Sequence, residues 1–191
     1  MSYPAPFDSL PETACRARDM GAGDLLFRQG ENSSGLWLVL DGEVHLVRHG
    51  EAGHRVVLAR AAAGQTLAEA SLFAPTYHCD AEVVAPGRAV RFRKQALLQR
   101  IDRDPGFARA LMQRLARQVQ ASRRQVELLS IRSAEDRVLA ALADGGQTGT
   151  VMALAAQIGL THEATYRALA ALVRRGLAQK LGRGRYQLSP V

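Results

Sequence analysis

The chain has only two cysteines, Cys15 and Cys79, among its 191 residues. Two thiols exclude a disulfide framework and a four-cysteine metal site. Nowhere is there an apolar run near the roughly 18 residues that span a bilayer, so no membrane association is expected. Met1–Leu10 lacks a basic segment followed by an apolar one and does not read as a secretory signal. Also missing is any nucleophile–base pairing or metal-ligand spacing. Glu69, His78 and Asp80 are polar candidates without an accompanying motif. These absences lead us to expect a soluble cytoplasmic protein that is not an enzyme and has no metal site assignable from residue spacing.

What is present is apolar material, 47% of residues, enough to fill the core of one large or two small domains. Charge divides unevenly. Residues 1–104 carry 12 Lys/Arg against 13 Asp/Glu, a net of −1, whereas residues 105–191 carry 13 against 5, a net of +8. This split points to a polyanion bound by the C-terminal part; a solvated basic surface is the plainer alternative.

Three patterns follow one another, and together they predict an α+β chain. From Gly23 to Arg93, short apolar runs alternate with glycine punctuation. Leu25-Leu26-Phe27 precedes Gln29-Gly30, Leu36 to Leu40 precedes Asp41-Gly42, and Val44 to Val47 precedes His49-Gly50. Val56-Val57-Leu58 follows Gly53, and Ala62 to Gly64 breaks the chain again. The pattern predicts an antiparallel β-barrel or sandwich, with a short helix before it near Ser9 to Arg18, capped by Asp8 or Ser9. From Pro105 to about Ser133 the period becomes helical. Met112, Leu115, Val119, Ser122, Val126 and Leu129 are spaced 3, 4, 3, 4 and 3 apart, forming a narrow seam. Such a seam can pack on the barrel or pair with its own copy. A helix of roughly 25 residues exceeds the width of one small domain, which favours pairing. Ser122 would then place a hydroxyl inside the interface, where it needs a partner or a ligand. The divisions read in this way are 1–104, 105–133 and 134–191.

From Ala134 the order is helix, turn, helix, helix and basic hairpin, with Gly145-Gly146 stopping the first helix. Thr150 caps the second helix, Gly159 and Leu160 turn the chain, and Thr161 caps a helix running to about Arg175. In a helix-turn-helix, the first helix braces the second so that the second can enter the major groove. Ala168, Leu169 and Leu172 supply its inner face, while His162, Glu163, Tyr166, Arg167 and Ala170 face outward. Arginine can bond guanine O6 and N7 in a bidentate fashion, and glutamate accepts from cytosine N4. Thr150 and Thr161 leave helix N-termini free to face phosphates. Arg174, Arg175, Lys180, Arg183 and Arg185 read as phosphate contacts. The plainer alternative, a three-helix packing unit with a charged solvated face, does not account for the basic hairpin that follows.

With these residues in place, the chain resembles the CRP/FNR family of transcription regulators over nearly its whole length. "GDLLFRQGENSSGLWLVLDGEVHL" (Gly23 to Leu46) resembles the start of the family's cyclic-nucleotide-binding β-roll, and "GQTLAEASLF" (Gly64 to Phe73) resembles its phosphate-binding cassette. "LAAQIGLTHEATYRALAALVRRGLAQ" (Leu154 to Gln179) is similar to its winged helix-turn-helix. The resemblance implies an N-terminal, jelly-roll-like β-roll that senses an effector, a long dimerisation helix, and a C-terminal domain reading a two-fold symmetric site on double-stranded DNA. It also implies RNA polymerase as a partner. Glu163 and Arg167 match the family's base-reading positions, whereas His162 and Tyr166 depart from its pattern.

The sensor departs further. Family members that bind cyclic AMP use a Gly-Glu pair for the ribose and an Arg-Ser pair for the cyclic phosphate. Here Glu69 is kept with Ala68 before it and Ala70 after it, and the Arg-Ser positions fall on Cys79 and Asp80. Losing the arginine removes a charge-assisted pair worth roughly 1.5–3 kcal/mol, which argues against cyclic AMP. Three readings stay open: a small-molecule pocket of Glu69, Ala70, Cys79, Asp80 and Ser122, a haem or redox site using His78 or Cys79, and an empty pocket. An iron–sulfur cluster is not expected, since there is no N-terminal cysteine cluster. A signalling adaptor that keeps the β-roll for protein contacts is the main rival function, and the +8 balance argues against it.

Overall fold

The computed structural model describes residues 3–50, 54–144 and 150–190. The chain forms two compact units, Met1–Gln113 and Arg114–Val191. The first is built on a five-stranded antiparallel sheet of β1 (Cys15–Met20), β2 (Gly35–His49), β3 (Arg55–Ala62), β4 (Thr66–Leu67) and β5 (Asp80–Arg93). Its order is β1-β5-β2-β3, with β4 also bonded to β2. Helices α1 (Lys94–Arg103) and α2 (Pro105–Ser130) come next. The second unit contains α3 (Ala134–Ala143), α4 (Val151–Ile158), α5 (His162–Arg174) and a hairpin of β6 (Ala178–Gly182) and β7 (Arg185–Leu188). This is the α+β architecture expected, a β-roll followed by a helix-turn-helix.

The start of β2 explains its own composition. Leu36, Trp37, Leu38 and Val39 are all buried, although successive residues of a strand face opposite sides. A run without a polar member therefore needs cover on both faces. Trp37 and Val39 enter the core with Phe27, Leu67, Tyr77 and Val83. Leu36 pairs with Phe92, which stacks on Phe7 at 4.5 Å between ring centroids.

Four expectations are corrected. Asp41-Gly42 is not a turn: β2 runs through it, bulging against β5. A Cβ on Gly42 would lie 2.6 Å from the Ala85 carbonyl oxygen, and one on Gly87 only 2.2 Å from that of Asp41. Both glycines thus serve the close approach of two backbones at a bulge. Leu25-Leu26-Phe27 is not a strand but follows β5 through single bonds, such as Leu26 N–H to Ala81 O at 2.9 Å. Ser9–Arg18 is not a helix: Pro11 is followed by a short 3-10 turn, Glu12–Ala14, after which Cys15–Met20 pairs with β5. The long helix ends at Ser130, because Ser133 caps α3 by accepting the Asp136 amide at 3.2 Å. Helix α1 lies where the strand reading stopped, and Gly53 and Gly145-Gly146 lie outside the described residues.

The division between the two compact units falls within α2. The cause is local: Phe107 and Leu111, in the first turns of α2, are buried, and the Arg100 guanidinium stands 6.0 Å from the centroid of the Phe107 ring. Asp104 sets the helix start. One of its carboxylate oxygens accepts the amides of Gly106 at 2.9 Å and Phe107 at 3.0 Å, and the other pairs with Arg100 at 2.9 Å.

The Phe107 amide, with Arg100 and the Gly106 amide adding to it, holds the Asp104 carboxyl below its ordinary value of 3.8. A depressed carboxylate pKa stabilises the fold above the unfolded value, and that contribution is lost as pH falls through the folded one. Asp104→Asn should therefore lose less stability than the parent between pH 7 and pH 3 in urea unfolding. An equal loss in both proteins would contradict the capping role.

Candidate nucleic-acid interface

Two threonines and one glycine set the local geometry of the second unit. Thr150 Oγ1 accepts the Ala153 amide at 3.2 Å and starts α4, while Thr161 Oγ1 accepts the Ala164 amide at 3.1 Å and starts α5. Between them Gly159 adopts φ 64°, and the Leu160 amide reaches back to the Ala155 carbonyl at 3.0 Å. This left-handed closure satisfies the end of α4 and turns the chain in a single residue. The positive φ favours glycine there, and a Cβ on Gly159 would sit 2.6 Å from Leu129 Cδ2, the movable end of an exposed side chain that would have to shift.

The inner face of α5 is apolar. Ala168, Leu169 and Leu172 are buried among Leu128, Val138, Leu142, Leu154 and Ile158. Thr165 is completely buried, and its hydroxyl donates to the Thr161 carbonyl at 3.0 Å. The opposite face carries His162, Glu163, Tyr166, Arg167 and Ala170, all exposed. Among the described residues, Glu163 and Arg167 make no ion pair with each other or with any neighbour. Both are therefore free to meet an outside ligand.

The end of α5 and the hairpin carry further cations. Arg174, Lys180, Arg183 and Arg185 are exposed, and Arg183-Gly184 forms the turn, with Gly184 at φ 71°. Arg175, counted with them in the sequence, is instead held by Glu135 at 2.8 Å. Residues 134–191 carry seven cations against four acids, so much of the +8 lies in the helix before them. Arg137 escaped the sequence reading. Its guanidinium donates to the carbonyls of Ile131 at 2.9 Å and Ile158 at 3.1 Å, tying α3 to the end of α4. No spacing rule reveals this residue, because its partners are main-chain oxygens.

The seam residues on α2 are largely free. Met112 is 62% exposed, Val119 50%, Val126 68% and Leu129 45%, Ser122 is exposed, and Leu115 is half-buried. The buried residue near the helix end is Leu128.

The sensor candidates are placed differently. Glu69 and Ala70 lie in a 3-10 turn, Glu69–Phe73, that follows Ala68 at φ 68°. An alanine thus holds a left-handed conformation where the resemblance has glycine, at a cost of about 1–2 kcal/mol. Lys94, at the start of α1, braces the turn by donating to the Ser71 carbonyl at 3.3 Å and the Ala74 carbonyl at 2.5 Å. Asp80 Oδ1 accepts the Gln29 amide at 2.7 Å, and Oδ2 lies 3.4 Å from His49. The Asp80 carboxylate is thus engaged in the sheet, and its position supplies no cation for a cyclic phosphate. Cys79 is buried, and burial pushes its thiol up from the ordinary value, with Arg48 opposing and Asp80 adding. A neutral thiol is a poor iron ligand. His78 is exposed, and its carbonyl accepts from Arg48 at 3.1 Å. A groove of about 470 Å³ opens at the start of α1, lined by Ser33, Ser34, Arg93, Lys94, Gln95 and Leu98 among others, and by none of the pocket candidates. Ser122 belongs to the second unit.

Comparison with known proteins agrees with this geometry. Residues 17–104 match the cyclic nucleotide-binding domain, and residues 137–182 match the IclR helix-turn-helix domain. No curated protein matches. Among solved structures, the catabolite activator protein of Thermus thermophilus is similar at 29% identity and TM-score 0.51, over 92% of this chain and 86% of that one. FixK2 of Bradyrhizobium japonicum matches at 19% identity and TM-score 0.64, over 92% and 93%. The regulator CLP of Xanthomonas campestris, described as responsive to c-di-GMP, matches at 18% identity and TM-score 0.60, over 94% and 96%. A sensor-type β-roll followed by a helix-turn-helix defines a DNA-binding transcription regulator. With these two domains in this order, the chain is a CRP/FNR-like DNA-binding transcription regulator.

Two glycines separate backbone strain from steric contact. Gly159 and Gly176 both have positive φ, but nothing lies within 4 Å of a Cβ at Gly176. Gly176→Ala should cost roughly 1–2 kcal/mol of stability, and Gly159→Ala measurably more. Leu129→Ala should relieve the excess in a double-mutant cycle of urea unfolding.

Proposed function

We propose that the protein acts as a homodimer that reads a two-fold symmetric DNA site with α5 of each protomer. The observation that carries this reading is that two opposite charges, Glu163 and Arg167, stand one turn apart on the exposed face of α5 without a partner among the described residues, while the other face of the helix is packed. Such charges one turn apart suit a C·G pair, with arginine on guanine O6 and N7 and glutamate on cytosine N4. Thr150, Thr161, Arg174, Lys180, Arg183 and Arg185 position the helix through phosphates, with His162 and Tyr166 as modifiers of the sequence read.

Dimerisation through α2 is supported by the exposure of Met112, Val119, Val126 and Leu129 along a single stripe, continued by Leu115 and Ser122. An apolar stripe at 3–4 spacing left in water is stabilised by pairing with its own copy. We place the effector in the β-roll, with Glu69, Ala70, Cys79 and Asp80 as candidate contacts. Cys79 standing where the family has arginine, with the Asp80 carboxylate beside it, argues for a ligand other than cyclic AMP. RNA polymerase is the partner through which such a dimer regulates, and the cytoplasm is where it acts.

Binding to a palindromic duplex should weaken steeply as salt rises, with two protomers per site in analytical ultracentrifugation. Val126→Arg should shift the protein to monomer and reduce affinity for the palindrome. Arg167→Ala should lower discrimination between the selected site and single-base variants by roughly 1–3 kcal/mol, whereas Arg174→Ala should weaken all sequences about equally. Salt-independent binding, or identical behaviour of the two arginine variants, would contradict the assignment.

A further inference from the structure

Two ring-bearing residues stand on the exposed face of α5 beside Glu163 and Arg167. The rings of His162 and Tyr166 touch edge to face, with centroids 4.6 Å apart and planes at 89°. Their spacing of four residues sets them on one strip of the helix, alongside the parallel strip of Glu163 and Arg167. Tyr166 is 41% exposed, and among the described residues neither its hydroxyl nor the His162 ring nitrogens has a hydrogen-bond partner. The polar atoms of the ring pair are thus unengaged among the described residues. The mutual contact holds both rings in place, so the apolar surface is presented already ordered and little freedom is lost on binding.

The edges of base pairs in the major groove carry donors and acceptors and one apolar group, the 5-methyl of thymine. A face with a charged strip for donors and acceptors and an aromatic strip beside it matches both kinds of feature. We propose that His162 and Tyr166 together form an aromatic plate that packs on a thymine methyl adjacent to the base pair read by Glu163 and Arg167. The proposal rests on α5 being the recognition helix and adds thymine to the site that helix reads.

The test uses the full-length protein and a 30-base-pair duplex selected from a random pool. Each thymine of the selected half-site is replaced in turn by deoxyuridine, which lacks only the methyl. At one position next to the charged readers' base pair, uracil should bind about fourfold more weakly, the worth of burying one methyl group. Tyr166→Ser should bind the thymine and uracil duplexes equally, and Tyr166→Phe should keep the ratio, since the ring and not the hydroxyl makes the contact. Each ratio is measured on one protein, so a folding defect cancels. Equal binding of uracil and thymine at every position, persistence of the ratio in Tyr166→Ser, or a half-site without thymine would overturn the proposal while leaving α5 as the reader. If selection enriches no sequence at all, the underlying reading fails with it.

Discussion

The DNA-binding unit depends on how the end of α4 is closed, because that closure sets the direction in which α5 leaves. Three features meet there: the left-handed turn at Gly159, the Leu160 amide on the Ala155 carbonyl, and the Arg137 guanidinium on the carbonyls of Ile131 and Ile158. Helix C-termini leave carbonyls without intrahelical partners, and a cation is well suited to satisfy them. Arg137 serves two chain segments at once, the link after α2 and the last residue of α4. The apolar backing of α5 follows from this arrangement, since Leu169 and Leu172 can be buried against Ile158 and Val138 only when the turn is so set. The outward charges are then a consequence of the inward packing.

The sensor unit shows the opposite relation between sequence and role. It keeps the backbone of a ligand cassette while changing its chemistry. Ala68 retains a left-handed conformation that glycine would adopt freely, and Lys94 braces the turn after it through main-chain carbonyls. Cys79 stands at the arginine position, and Asp80 beside it is engaged by a backbone amide and a histidine. Scaffold and ligand chemistry are therefore separable here. The scaffold is held by contacts to carbonyls and amides, which any side chain of suitable shape permits.

Much of the fold was legible because it rests on local rules. The caps Thr150 and Thr161, the turn at Gly159, the inner face of α5 and the hairpin after Gly176 all follow from residue type and helical period. The first unit was less legible. Asp41-Gly42 reads as a turn, yet it is a bulge, because the deciding fact is the approach of Pro86-Gly87 on a strand some 45 residues away. Cys15–Met20 has no clear strand pattern of its own and becomes one only by pairing with β5. Composition also overstated the reading face, since Arg137 and Arg175 are engaged inside the unit.

The sequence by itself determined the helix capped by Thr161, its apolar inner face and the identities of the residues on its outer face. Those properties depend on neighbours within four residues, and one helix contains them all. Tertiary structure decided which outward side chains are free. Glu163 and Arg167 could have paired with each other and do not, Arg175 is held by Glu135, and His162 leans on Tyr166. Charge and exposure at a surface are settled by what else reaches it, and the residues that reach it, such as Glu135, come from elsewhere in the chain.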